Sequence, residues 1–310
     1  MALSGAPARE LARRYGPWLV TAAIFLFLLH RIPLSALRNG LATGPWLALT
    51  AYTLPLAAAT LIADAFATQV CLAVTGEPRE LWSLILVRGA TYLLGLVNYA
   101  LGQGGIGFYL HRTGVRAARV TGIILFLMAV NLGALVLTAA LGLALPASNR
   151  LGAQVQATVL GGLALGILYL AVVAARPSLL SRREVLAPLF AAGVAGHLKA
   201  LAGRLPHVLF LALGQWGALW IWGVRIPADH ALALMPLVLI VAALPIAPAG
   251  LGTLQAAQIL LFAPYAAAAS AAGREAAVLS FSLAFSILGI AFQAAVGVAC
   301  LAALKRRGME

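Results

Sequence analysis

Asp64 and Arg88 stand out for the chemistry they could do, because each lies inside a long apolar stretch. On insertion scales a carboxylate at mid-bilayer depth costs at least ~2.5 to 3.5 kcal/mol, so Asp64 is expected to face protein or a water-filled cavity. Thr53, Ala57, Thr60, Asp64 and Thr68 recur at steps of three or four, which gives their helix one mildly polar stripe. A carboxylate there would couple an ion or a headgroup, or form a structural pair with Arg88; both readings stay open. Two Gly- and Pro-rich breaks supply a second kind of chemistry. One holds Asn98, Gln103, Gly104, Gly105 and Gly107, the other Pro245, Pro248, Gly250, Gly252 and Gln255. Backbone N–H groups freed at such a turn, with a half-helix N-terminus behind them, can hold an anionic phosphate. The alternative is close helix packing through small residues. Gly102-x-Gly104-x-x-Gly107 formally fits a dinucleotide fingerprint, but that motif needs a preceding strand and a βαβ unit, and the pattern offers neither.

Catalytic chemistry finds little support. The aspartates are Asp64 and Asp229, and no carboxylate pair, metal-ligand cluster or nucleophile–base arrangement is visible. His30, His111 and His230 stand alone near segment ends, and Cys71 and Cys300 lie within apolar segments, so neither a metal site nor a disulfide is expected. No phosphate-binding Gly-x-x-x-x-Gly-Lys-Ser/Thr loop is present, which leaves an ATP-driven mechanism within the chain unsupported. The expectation is a non-enzyme with no catalytic residue, metal or cofactor.

The elements that must position these residues follow from composition. Of 310 residues 63% are hydrophobic and 9% charged, with a mean hydropathy of +1.00. A soluble domain is nearer half apolar and a quarter charged, so a soluble enzyme is excluded and an integral membrane protein expected. Uncharged runs such as Val120 to Leu145 and Ala276 to Leu304 exceed the ~20 residues that a spanning helix needs. Barrel-type strand alternation is absent, which predicts an all-α polytopic membrane protein. Six full spans are expected near 16–37, 45–74, 120–145, 152–175, 205–223 and 275–304. Arg9, Arg13 and Arg14 before the first span mimic a signal peptide, but no small-residue cleavage site follows, so the first helix is read as uncleaved. Ser181 to Arg204 reads as an interfacial linker helix, and His197, Lys199, Arg204 and His207 as a basic cluster touching headgroups. Gly89 to Leu110 is rich in glycine, above all after Gly102. Ala231 to Ala272 holds four prolines and would measure about 60 Å as one straight helix. Both are expected to fold back as re-entrant or broken-helix hairpins.

The net charge of +13, from 21 Lys and Arg against 8 Asp and Glu, would suggest nucleic acid in a soluble chain. Here the basic residues sit in short clusters between apolar runs, without base-stacking aromatics, so anionic headgroups at cytoplasmic loops are the expected partners and nucleic acid is not. With both termini cytoplasmic and both hairpins re-entrant, fifteen basic residues fall inside and five outside: Arg31, Arg38, Arg150, Arg225 and Arg274. A full crossing by Gly89 to Leu110 would instead strand Arg112, Arg116 and Arg119 outside.

The two irregular regions also resemble each other. Gly105-Ile106-Gly107 aligns with Gly250-Leu251-Gly252, and Gly114-Val115-Arg116-Ala117-Ala118 with Gly273-Arg274-Glu275-Ala276-Ala277, each of the latter opening a long uncharged helix. Residues 45–145 and 205–304 are therefore read as inverted repeats within a single membrane domain spanning 1–310, an architecture in which broken helices meet near the midplane. The stretch Leu244 to Gln255 resembles the second-half motif of the lysylphosphatidylglycerol synthase transmembrane (flippase-like) family, and Arg88 to Gly114 resembles its first-half hairpin. Two positions depart from it. The family's Pro-Gly turn is Gly102-Gln103-Gly104-Gly105 here, and its acidic residue after the second Gly-x-Gly is Gln255. The resemblance implies movement of a phospholipid, a polyprenyl-linked lipid or an aminoacylated headgroup between leaflets of a bacterial inner membrane, without the soluble transferase domain of the best-known relatives. The alternatives are a membrane-embedded lipid-linked glycosyl or phosphoryl transferase, or a non-transporting subunit that holds a membrane protein partner.

Overall fold

The structure, a computed structural model, describes residue 19 and residues 21–145, 151–244 and 250–308. Among these residues there is no β-strand, only an isolated bridge between Val224 and Ala266. The chain runs through α1 (Thr21–Arg31), α2 (Leu34–Ala42), α3 (Trp46–Val74), α4 (Leu81–Gly95), α5 (Tyr99–Arg112), α6 (Ala117–Leu143) and α7 (Ala153–Ala175). It continues through the single turn α8 (Ser178–Ser181), α9 (Ala187–Ile221), α10 (Ala228–Ala243), α11 (Thr253–Phe262) and α12 (Ala271–Arg306). Five described helices, α3, α6, α7, α9 and α12, are long and apolar enough to cross a membrane, or six spans if the bent pair α1–α2 counts as one. The protein is all-α and carries the helices of an integral membrane protein.

Three sequence expectations are corrected. The first span is not one helix, because α1 and α2 meet at 97°; Pro33 lacks an N–H and pushes Ile32 away from helical geometry. The first hairpin turns at Leu96–Asn98 and not after Gly102, and α5 runs unbroken through Gly102, Gly104, Gly105 and Gly107. Asn98 makes that turn: it is extended, and its side-chain oxygen accepts from Ala100 N at 2.7 Å, which caps α5. Finally, residues 181–204 are not a separate interfacial helix. They run into α9, which bends at Gly193 (φ 59°) and carries on to Ile221.

Side-chain bonds identify the two ends of the bundle. At one, Arg79 Nη2 donates to Thr113 Oγ1 at 3.1 Å, Arg119 Nε to Glu77 at 2.9 Å, and Arg116 pairs with Glu184 at 3.1 Å. The first hairpin, α4–α5, thus starts and finishes at this end. At the other end Arg225 N donates to Tyr265 O at 3.1 Å beside the Val224–Ala266 bridge, and the indoles of Trp216 and Trp220 donate to Ile226 O at 2.8 and 3.1 Å. The second hairpin, α10–α11, starts and finishes there. Its helices, like those of the first, are shorter than the ~20 residues needed to cross.

Packing is reciprocal. The first hairpin lies on α12 through α4, the second on α6 through α10, and α3 lies along α9. Small residues allow the close approaches: Gly89 faces Cys300, Gly297 faces Leu93, and Gly142 lies against the backbone at Ala233. Two cores result. One, around Leu49, Leu219, Phe262 and Phe281, joins α1–α2 and the second hairpin to α12. The other, around Leu72, Leu84, Ile106 and Phe126, joins the first hairpin to α3, α6 and α9.

Candidate functional site

Where the hairpins end, a cavity of about 440 Å³ opens. Tyr92, Leu96 and Asn98 from the first tip and Leu244, Gly250 and Leu251 from the second line it together, with α3, α6, α9 and α12 as walls. Of the predicted α3 stripe, Thr53, Ala57, Thr60 and Asp64 line the cavity and Thr68 does not. Thr53 and Thr60 hydroxyls donate to the carbonyls of Leu49 and Leu56 at 2.8 and 2.7 Å, which satisfies their protons within the helix.

The floor is charged. Arg88 Nε donates to Asp64 Oδ2 at 2.6 Å, with Nη2 also against that oxygen, and Arg204 Nη1 donates to Oδ1 at 2.5 Å. His207 Nδ1 donates to Thr60 O at 3.3 Å, which turns Nε2 towards Asp64 Oδ1, 4.0 Å away. Asp64 is 1% exposed, Arg88 7% and Arg204 4%, so this is a fully buried cluster. Arg204 Nε has no partner. Two guanidinium groups share one carboxylate. Much of the remaining lining is apolar, and Leu54, Leu244 and Ile290 line the cavity while remaining exposed.

Sequence reasoning left Arg204 and His207 at the headgroups, and that is corrected here, since both are buried beside Asp64. Lys199 of the same cluster is exposed, whereas His197 is buried, bonded to Tyr169 OH and to Gly193 O at 2.7 Å each. A signal existed: Arg204, His207, Leu211 and Gly214 follow steps of three and four, and all line the cavity. Ending the linker helix at Arg204 concealed it. Gly203 against Val70, and Gly217 against Tyr52, let α9 approach α3 closely enough for the Arg204 guanidinium to meet Asp64.

The other predicted site residues divide. Asp64, Arg88, Asn98, Gln103 and Gly250 line the cavity. Gly105 and Gly107 do not; a Cβ at Gly105 would stand 2.6 Å from the Thr91 side chain, and one at Gly107 3.2 Å from Val120, so both serve helix packing. Gly104 is exposed with open space around it. Gly252 (φ 87°) approaches α1 at Ile24. Gln255 positions the second tip: it is buried, its Oε1 accepts from Gly252 N at 2.6 Å, and its Nε2 donates to Ser286 Oγ at 3.3 Å. Pro245 and Pro248 lie outside the described residues. No group of three or more His, Cys, Asp or Glu that could hold a metal exists among the described residues.

Comparison of the chain with protein-family models finds no match, and comparison with curated protein sequences finds none either.

Proposed function

We propose that this protein is a flippase-like transporter that moves a lipid or lipid-linked headgroup between membrane leaflets. The observation that carries the reading is the cavity's two-part character, a buried charged floor together with exposed apolar lining at Leu54, Leu244 and Ile290. An amphiphile has that division of polarity, and binding it would bury its headgroup at Arg88 and Arg204 while its chains stay against leucine and isoleucine. A transferase would need a general acid or base pair beside the bound headgroup; Asp64, the acidic residue in the described lining, is occupied by two arginines. The resemblance of the two hairpin sequences to the flippase-like family points the same way.

In this reading the hairpins are re-entrant and the halves are inverted repeats. Support comes from their opposite points of entry, their meeting at one cavity, and the reciprocal packing of α4 on α12 and α10 on α6. The end holding Arg79, Arg112, Arg116, Arg119 and Arg182 is cytoplasmic by the positive-inside bias, with both termini on that side of a bacterial inner membrane. Purified protein reconstituted in liposomes with fluorescent phospholipids tests the function: it is expected to speed leaflet exchange over protein-free vesicles, and unchanged exchange across a headgroup and polyprenyl-phosphate series would refute it.

A further inference from the structure

We infer that the cavity selects an anionic phosphate group and rejects cationic, aminoacylated headgroups. The inference rests on the lipid-transport reading for the source of that phosphate, but its argument is one of charge. The described lining holds one acidic residue, Asp64, and two arginines, Arg88 and Arg204, so it carries at least one positive charge in excess. Donors are in excess too. Each guanidinium carries five N–H groups, against roughly four acceptor positions on the carboxylate, and Arg204 Nε stands unpartnered although that side chain is 4% exposed. A buried, uncompensated cation attracts an anion, and a phosphate monoanion restores neutrality and supplies oxygens for the spare donors. Arg88 and Arg204 both line the cavity and approach Asp64 through different oxygens, Oδ2 and Oδ1, so a phosphate can engage one fork while the other stays on the carboxylate.

Cationic headgroups meet the opposite situation. A lysyl ester carries two ammonium groups, which need an available carboxylate, and Asp64 has none of its charge to spare. The residue that sequence resemblance marks as a second acid is Gln255, buried and committed to Gly252 N and Ser286. No carboxylate in the described lining pairs a cation without first breaking a buried salt bridge.

Calorimetric titration of the full-length protein in a neutral detergent, with dihexanoyl forms of phosphatidylglycerol, phosphatidylcholine and lysyl-phosphatidylglycerol and with inorganic phosphate, tests this. Phosphatidylglycerol is expected to bind about tenfold or more tighter than the zwitterionic and cationic lipids, a difference of ~1.4 kcal/mol per tenfold. Arg204→Gln keeps the Asp64–Arg88 pair neutral and should erase the preference with the protein still folded, while Arg204→Lys should retain it. Equal binding of the three lipids by the wild type, tighter binding of the lysylated lipid, or an unaltered preference in folded Arg204→Gln would overturn the inference. Inorganic phosphate binding as tightly as phosphatidylglycerol, together with no leaflet exchange in liposomes, would uphold anion selection and refute lipid transport. Exchange without headgroup preference would do the reverse.

Discussion

Asp64 has two cationic partners, and this changes what its replacement should do. Read as a simple pair, Asp64→Asn with Arg88→Gln would restore stability after either single change. With Arg204 on Oδ1, the double variant leaves that guanidinium buried with no counter-ion. Stranding a buried charge costs about 3–5 kcal/mol. Asp64→Asn strands both guanidinium groups and is therefore expected to lower the melting temperature far more than Arg88→Gln or Arg204→Gln, each of which leaves a one-to-one pair, and the double variant, which still strands Arg204, should recover only part of that loss. Thermal unfolding of the four variants in one detergent checks the order; full rescue in the double variant would mean that Arg204 contributes nothing to holding the carboxylate. The sequence disclosed Asp64 and Arg88 because a charge inside an apolar run is conspicuous. It hid Arg204, whose neighbours Lys199 and His207 made a charged group look like a surface.

At the scale of elements, glycine content proved a poor guide to where a helix breaks. Gly102, Gly104, Gly105 and Gly107 together suggested a turn, yet all four are helical in α5; at Gly102, Gly105 and Gly107 close contact with α4 and α6 favours residues without a Cβ and offsets their weak helix propensity. The turn belongs instead to Leu96, Val97 and the capping Asn98, a signal that a single asparagine among glycines does not advertise. Two substitutions separate the roles. Gly105→Leu should force α5 off Thr91 and Leu94 and cost roughly 1–3 kcal/mol through overpacking. Gly104→Ala, with nothing within 4 Å of the new Cβ, should be stabilising by roughly 0.5–1 kcal/mol through lost chain entropy in the unfolded state. Melting temperatures moving in opposite directions would establish that the glycines act on packing; a loss of stability in Gly104→Ala would restore a turn-forming role. The second hairpin was more legible, since prolines across 42 uncharged residues forbid one helix, and Gly250 and Gly252 do take left-handed φ values of 70° and 87°.

On the scale of the whole molecule, the long helices were legible because hydrocarbon thickness imposes their length directly, and the bend at Pro33 has a local cause in the proline, whereas the continuity of α9 depends on packing that no single segment encodes. The end-to-end asymmetry makes a topological forecast. Ser178 follows α7 at the end rich in arginine, beside Arg182 and Arg183, and Ala228 opens the second hairpin at the opposite end, close to the Arg225–Tyr265 bond. Both are exposed. In a background with Cys71 and Cys300 replaced, a cysteine at Ala228 should react with an impermeant maleimide in intact cells, and one at Ser178 only after the membrane is opened. The reverse pattern would invert the protein and leave the re-entrant arrangement standing, since only the labels of the two ends would exchange. Labelling of both sites from the same side would be more damaging: the hairpins would then enter together, and two tips lining one cavity would no longer make the inverted pair of the proposed transport reading.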